Sequence, residues 1–456
     1  SALMFFAKAL QNRADYALCN AVFGFGGATA LYQSQPLQAQ NRCAVVSRTL
    51  LERCRAAAHD PENVPELLAL AAQLCTKPTL IPQALLHYER GICAEDAFSA
   101  HGKRAFIMSH VLDMTGAPIV LVSAVPVLRS MGYEVLVLGP SDGGSLHLFL
   151  DAGASVITRS SCRNVSDAWG MALCADFVIA NTVVMARAVR ALSGTAVPVL
   201  WWLHDAFAGY PHIAHQIPTQ LGENVRVYSV GSHAANAMRA VRPEFEIRPL
   251  IYGLPDYAAE NFVRTDLGYN RGRPLFATVG SFERRKGHDI FCKAIRLLPP
   301  EVREKASFLF VGQAADKEMM DSVRALTADY PENVYYCKRL TRDEIKSLME
   351  QCTGLVCASR DDPMPTFVTE GLIFGKPSIV SEHTGTAGLI SEGRNGFVYH
   401  NDDPQQLAVL LEHAIEHPEE LASMRTECRK MYEQYYSKEA FEQTLRAAVE
   451  DLTEKK

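Results

Sequence analysis

The sequence predicts an α/β protein made of two consecutive doubly wound domains facing a cleft, with an extra helical region ahead of them. Three observations lead there. From about residue 103 short apolar runs alternate with helix-patterned stretches. A polar segment carrying Gly and Pro, Leu254–Pro274, interrupts the alternation once and reads as an interdomain linker. The chain has 456 residues, room for roughly two to four domains.

Residues 1–98 are rich in Ala, Leu, Gln and Arg, punctuated by Pro61, Pro65, Pro78 and Pro82, and read as helical. They carry no chemical motif and receive no function. The apolar stretch Tyr16–Tyr32 is interrupted by Asn20 and by Gly24-x-Gly26-Gly27. It is too short and broken for a membrane span and reads as a helical hairpin with a glycine hinge. Shallow peripheral membrane contact is the minor alternative. Ser1-Ala2-Leu3 ahead of Met4 is set aside as a cloning remnant, and no stretch reads as a signal peptide.

In the first half, Arg104–Ser109, Glu134–Leu138, Ser155–Thr158, Phe177–Ala180, Val197–Leu203 and Arg226–Val230 read as strands. Helix patterns lie between them, including Ala117–Met131 and Ser145–Ala152. After the linker, Pro274–Val279, Ser307–Val311, Asn333–Tyr336, Gly354–Ala358 and Pro377–Val380 repeat the theme, and 405–453 is helical. Continuous apolar runs joined through helices predict parallel sheets covered on both faces. In such sheets ligands bind at the carboxyl ends of the strands.

Composition narrows the function. The net charge of −6 and the lack of long Lys/Arg runs argue against a nucleic-acid binder and a polybasic anchor. The 12 cysteines include no Cys-x-x-Cys pair and no zinc-ligand spacing, which fits a reducing cytosol. Trp201 and Trp202 alternate faces of a strand and read as packing.

Two motifs carry chemistry. The stretch Val279-Gly280-Ser281-Phe282-Glu283-Arg284-Arg285-Lys286-Gly287 follows a strand and opens a helix. It places cations where a helix N-terminus already favours anions, which suits a diphosphate. Read alone, it is equally a solvated basic turn with a glycine cap. The second is Ala358-Ser359-Arg360-Asp361-Asp362-Pro363-Met364-Pro365-Thr366-Phe367-Val368-Thr369-Glu370-Gly371. A buried strand runs into an acidic loop, and Pro365 starts a helix. The amides near Thr366 and Phe367 can take a phosphate, and Glu370, about one turn in, can accept both hydroxyls of a ribose. Asp362 can hold sugar hydroxyls. The blander alternative is that Asp361 and Asp362 cap a helix and that Glu370 is an ordinary surface residue. A magnesium reading of the two acids is set aside, because the neighbouring cations already offset phosphate charge.

These motifs resemble glycosyltransferase family 4, retaining enzymes with the GT-B fold of two Rossmann-like domains. The family's acid–seven residues–acid motif falls on Asp362 and Glu370, with Asp where Glu is common. The resemblance gives Glu370 the ribose and Asp362 the donor sugar. It gives Arg285 and Lys286 the diphosphate, with Gly280 and Ser281 beside them, although many members carry Arg where Ser281 stands. Met364, Pro365, Thr366 and Phe367 complete the donor wall. Thr384-Gly385-Thr386-Ala387-Gly388 and Gly393-x-x-Gly396-Phe397 follow the family's ending, and Tyr252-Gly253 its turn before the linker. Thr115-Gly116-Ala117-Pro118 is similar to its first glycine loop, bringing Gly116 and Ala117 to the donor phosphates. Trp201-Trp202-Leu203-His204-Asp205 resembles the strand end that bears an active-site His. His204 alone is as readily a core or capping residue. His110, Asp113 and Asp205 are acceptor-side candidates, and Asp113 is equally a helix cap.

The resemblance covers about residues 104–435 and implies a division. Residues 1–98 stand apart. Residues 99–258 form an acceptor-side domain, 259–435 a donor-side domain, and 436–456 a helix packing back toward the first. It implies a metal-independent hexosyltransferase without cofactor, acting on a nucleotide diphosphate sugar and a glycan or lipid-linked acceptor. Bacterial surface polysaccharide assembly, in the cytoplasm or at the inner face of the membrane, is the implied setting. A non-catalytic nucleotide-sugar-binding relative and a nucleotide-sugar epimerase are the alternatives.

Overall fold

The computed structural model describes residues 102–141, 143–158 and 171–453, and five short strands earlier in the chain. Those five are β1 (Tyr16–Cys19), β2 (Ala21–Val22), β3 (Leu31–Tyr32), β4 (Cys43–Val46) and β5 (Pro78–Leu80). β1 pairs antiparallel with β4 and parallel with β5, while β2 and β3 pair antiparallel. The helical reading of 1–98 is therefore corrected at these positions, and the hairpin within Tyr16–Tyr32 is one of strands. Short apolar runs do not separate strand from helix by periodicity, and β-branched Val45-Val46 favours the strand. The rest of 1–98 lies outside the described residues.

The first large sheet contains β6 (Lys103–Met108), β7 (Tyr133–Gly139), β8 (Ser155–Thr158), β9 (Phe177–Asn181), β10 (Val199–Leu203), β11 (Val225–Ser229) and β12 (Ile247–Pro249). Its order is β12-β11-β10-β9-β6-β7-β8. β6 runs parallel to β7 and β9, β7 to β8, and β11 to β12. Every residue of β9 and β10 is buried, as two covered faces require. Trp201 and Trp202 are both fully buried, as expected of packing residues. Their indole N–H groups donate to the carbonyls of Thr182 (2.8 Å) and Leu250 (2.9 Å).

The second sheet contains β13 (Leu275–Val279), β14 (Ser307–Val311), β15 (Val334–Cys337), β16 (Gly354–Cys357), β17 (Ser378–Ser381) and β18 (Gly396–Tyr399). All its pairings are parallel, in the order β15-β14-β13-β16-β17-β18. Counted from β13 this is 3-2-1-4-5-6, so the winding reverses between β13 and β16. Both chemical motifs leave the sheet there, at the carboxyl ends of those two strands, where doubly wound sheets bind ligands.

The linker Leu254–Pro274 contains no helix or extended strand, only the isolated bridge of Leu254 with Ser437. The expected helical ending is divided into Pro404–Glu416, Pro418–Ser423, Arg425–Met431, a π-helical turn Tyr432–Tyr436, and Lys438–Thr453. The chain condenses into two compact units. One comprises Ser1–Trp201, His215–Arg226 and Arg446–Lys456, the other Trp202–Ala214 and Val227–Leu445.

Candidate active site

The Gly280–Lys286 segment leaves β13 and tightens into a 3₁₀ turn at Arg284–Lys286, closed by Gly287. Gly287 adopts the left-handed φ of 66°, and a Cβ there would lie 1.8 Å from the Ala358 carbonyl oxygen. Only glycine lets the Lys286 turn press against the end of β16. Gly287→Ala should cost at least about 1–3 kcal/mol from backbone conformation alone. A thermal melt should show the loss, and activity should fall although no charge has changed.

Arg360 braces the same approach. Its amide donates to the Arg285 carbonyl at 2.7 Å and its guanidinium to the Arg284 carbonyl at 2.9 Å. It grips Asp289 with two bonds of 2.8 Å and Asp402 Oδ1 with two more, at 3.2 and 2.8 Å. Burial would raise the Asp289 carboxyl, but the Arg360 bonds outweigh it and hold it below its ordinary value. The Asp289 bonds in turn push the Arg360 guanidinium further up.

Between these loops Lys286 Nζ donates to Asp362 Oδ2 at 2.5 Å, and Asp362 is 3% exposed. Its Oδ1 accepts from the Met364 amide at 3.3 Å. The Asp362 backbone is pinned as well, donating to the His383 carbonyl (3.1 Å) and accepting from the Gly385 amide (3.0 Å). Gly385 permits that contact, since a Cβ there would meet the Pro363 carbonyl at 1.7 Å. Ser281 and Arg285 both bind Glu283, Arg285 at 2.9 Å, and Arg285 keeps a half-exposed guanidinium.

The helix Thr366–Ile373 begins after Pro365 without a side-chain cap. Among the described residues the Thr366 and Phe367 amides donate to nothing. The Met364 side chain is buried and its sulfur accepts from the Tyr436 hydroxyl at 3.3 Å, which leaves its backbone to the donor wall. Its thioether makes it a core filler.

Glu370 lines a cavity of about 310 Å³ with Val279, Tyr257, Arg342, Lys346 and Phe374. Burial raises the Glu370 carboxyl above its ordinary value, and Arg342 pulls partly against it. The Arg342 guanidinium lies 4.3 Å from the centre of the Tyr257 ring, and Lys346 reaches Glu260 at 2.7 Å. Tyr252 is buried near both Asp362 and Glu370, and burial pushes its hydroxyl up to about 12. The two motif acids therefore share one neighbourhood.

The acid pair itself divides. Asp362 faces Lys286, whereas Asp361 accepts from His233 Nε2 and from the Phe207 and Ala208 amides. Among the described residues no three His, Cys, Asp or Glu side chains gather as a metal site would require. His204 is half-buried, its ring 4.6 Å from that of Trp202. Asp205 lies near Tyr210 and raises its hydroxyl together with burial, which is the larger cause.

His110, Asp113, Gly116 and Ala117 belong to the other compact unit. Asp113 accepts from the Thr115 amide at 3.1 Å and from its hydroxyl, a turn just ahead of the helix Gly116–Ser130, whose N-cap Thr115 has no side-chain cap bond. A Cβ on Gly116 would meet nothing within 4 Å. Sequence reasoning did not single out Arg360, Tyr257, Arg342 or Lys346. The available signal was Arg342 and Lys346 four apart on one helix face after a strand end.

Comparison with known proteins follows from this geometry. A family model described as glycosyl-transferase family 4 matches residues 101–241, and one described as glycosyl transferases group 1 matches residues 260–431. An uncharacterised glycosyltransferase of Methanocaldococcus jannaschii is 25% identical over 195 residues, 42% of this chain and 53% of that protein. Spore coat protein SA of Bacillus subtilis is 26% identical over 160 residues, 33% of this chain and 41% of that protein. The chain thus spans about half the length of the curated relatives it matches. The crystal structure of Anabaena HepE in complex with UDP superposes with a TM-score of 0.64 at 18% identity, over 76% of this chain and 100% of that one. WaaG, a glycosyltransferase involved in lipopolysaccharide biosynthesis, gives 0.58 at 16% identity, over 77% of this chain and 99% of that one. At such identities these superpositions speak to the fold.

Proposed function

Because this chain belongs to the family 4 glycosyltransferases of the GT-B kind, we propose that it moves a hexosyl group from a nucleoside diphosphate sugar to an acceptor, retaining the anomeric configuration and using no metal. The observation that carries this reading is the Lys286–Asp362 pair beside the unpaired Thr366 and Phe367 amides, with Glu370 in the adjoining cavity.

Cleaving the bond from sugar C1 to the diphosphate builds positive charge on the ring and negative charge on the leaving group. Lys286, Arg285 and the two amides stabilise the leaving group. They are fixed in advance, so they require little reorganisation as the bond breaks. Glu370 clasps the ribose hydroxyls. Asp362, buried with both oxygens engaged, holds Lys286 in place rather than reaching the sugar itself, and His204 faces the donor from the other loop. Attack from the side of departure is the course that the family resemblance implies.

HepE has been solved with UDP and with UDP-glucose, so a uridine diphosphate sugar is the first donor to test. A glycan or lipid-linked acceptor, as the family resemblance implies, is the class to test first, WaaG of like fold being involved in lipopolysaccharide biosynthesis. Among the described residues no helix is long and apolar enough to cross a membrane.

The test is a panel of nucleotide sugars, read by thermal shift and then by transfer to lipid-linked or oligosaccharide acceptors. A true donor at 100 times its Kd should add about 2.7 kcal/mol of stability. Transfer should survive a strong chelator, and the product should keep the donor's anomeric configuration by NMR. Loss on chelation with recovery on added magnesium or manganese would overturn the metal-free reading. Donor conversion without acceptor would indicate an epimerase, and stabilisation without turnover a binding protein.

A further inference from the structure

The carboxylate at position 361 bonds to the loop that follows β10. Its Oδ1 accepts from the Phe207 amide at 3.1 Å and from His233 Nε2 at 2.7 Å. Its Oδ2 accepts from the Ala208 amide at 2.7 Å. All of these residues lie in the second compact unit. The Asp361 side chain is 13% exposed and that of His233 5%, so water competes little for the three bonds. Burial alone would raise the Asp361 carboxyl, but its bonds to His233 and the amides hold it below its ordinary value.

What the carboxylate holds is specific. Phe207 and Ala208 open the short turn Phe207–Gly209, and their amides are the first two of that turn. His204 stands three residues before Phe207, a tether of at most ~11 Å even when fully extended. The Phe207 and His233 rings sit 5.1 Å apart, and His233 lies 5.6 Å from His383. The His383 carbonyl receives the Asp362 amide. The loop bearing His204 and the loop bearing Asp362 are therefore joined through one side chain.

We propose that Asp361 is a positioning residue for sugar transfer: by clasping the Phe207 and Ala208 amides and His233, it fixes His204 relative to Asp362 and Lys286. This rests on the transferase reading given above. With both oxygens engaged, Asp361 acts through the loop and touches no substrate. Misplacing a group by about 1 Å can cost ~10²-fold in rate, so a clasp of this kind affects the chemical step more than binding.

The experiment compares native protein with Asp361→Ala, His233→Leu and His233→Gln. It measures amide hydrogen exchange over residues 204–209, affinity for the diphosphate of whichever donor the native protein turns over, and kcat. Asp361→Ala should exchange faster over 204–209 and lose ~10- to 100-fold in kcat, while diphosphate affinity stays within about threefold. His233→Leu removes one of three donors and should show a smaller change of the same kind. His233→Gln can donate from a similar position and should restore most of the loss. Unchanged exchange over 204–209 in Asp361→Ala would show that no clasp exists, whatever the activity. Faster exchange with native kcat, or kcat and affinity falling together, would overturn the positioning role. A native protein that transfers no sugar would defeat the parent reading first, with the exchange result still deciding the clasp. If Asp361→Ala fails to fold, the two His233 variants carry the same comparison.

Discussion

Lys286→Met is expected to lower turnover by ~10²–10³-fold, the usual loss when one preorganised donor to a developing negative charge is removed. The ammonium lies 2.5 Å from Asp362 Oδ2, and no other Lys or Arg pairs with that carboxylate among the described residues. The variant should also melt lower. Removing one partner of a buried pair leaves the 3%-exposed Asp362 uncompensated, which costs about 3–5 kcal/mol. The two effects can be separated. The double variant Lys286→Met, Asp362→Leu buries no lone charge and should recover much of the melting temperature while staying inactive. Recovery of turnover in that double variant, or native turnover in Lys286→Met, would remove Lys286 from the chemistry. Lys286→Arg should recover only part, because a planar fork does not replace a compact ammonium at this distance.

Glu370→Gln should act in opposite directions on binding and on stability. Two ribose hydroxyls lose a charged acceptor, each such bond being worth about 1.5–3 kcal/mol, so donor affinity should fall roughly 100-fold or more. In the ligand-free protein the same change should stabilise. Burial holds the Glu370 carboxyl above its ordinary value, despite Arg342. Between the ordinary value and the raised one, the folded chain binds more protons than the unfolded chain. Stability therefore falls as pH rises through that window and stays lower above it. At pH 7 Glu370→Gln should melt higher, by roughly 2–4 °C if about 1 kcal/mol is relieved. The gain should vanish below pH ~4.3, where Glu is protonated in both states. A lower melting temperature at pH 7, or undiminished donor affinity, would remove Glu370 from this role. In the native protein, donor affinity should weaken as pH falls through the raised value.

Much of this site was legible because its signals are local. β13, β16 and the loops that follow them are continuous in sequence, and an apolar run ending in Gly or in acids needs no partner to be recognised. The strands that escaped notice lacked that continuity. Ile247–Pro249 is three residues long, and Gly396–Tyr399 lies in the Gly393-x-x-Gly396-Phe397 stretch, noticed for its glycines rather than for an apolar run. The Asp361 contacts escaped for a different reason: its partners lie 128 and 153 positions away or more. No spacing rule joins such residues, so the acid pair looked like one feature when the fold gives its members separate partners. Arg360 was likewise invisible as a brace until Asp289 and Asp402 were seen beside it.

The way the chain shares itself between its two bodies has a practical corollary. The linker at 254–274 looks like the natural place to dissect the protein, yet a cut there would truncate both products. The upstream fragment would lack Arg446–Lys456, which belongs to its own body, and would carry Trp202–Ala214 and the stretch from Val227 to the cut as stranded pieces of the other. Chimeras between relatives should therefore exchange non-contiguous blocks, with the final turns of the last helix travelling alongside the amino-terminal sheet.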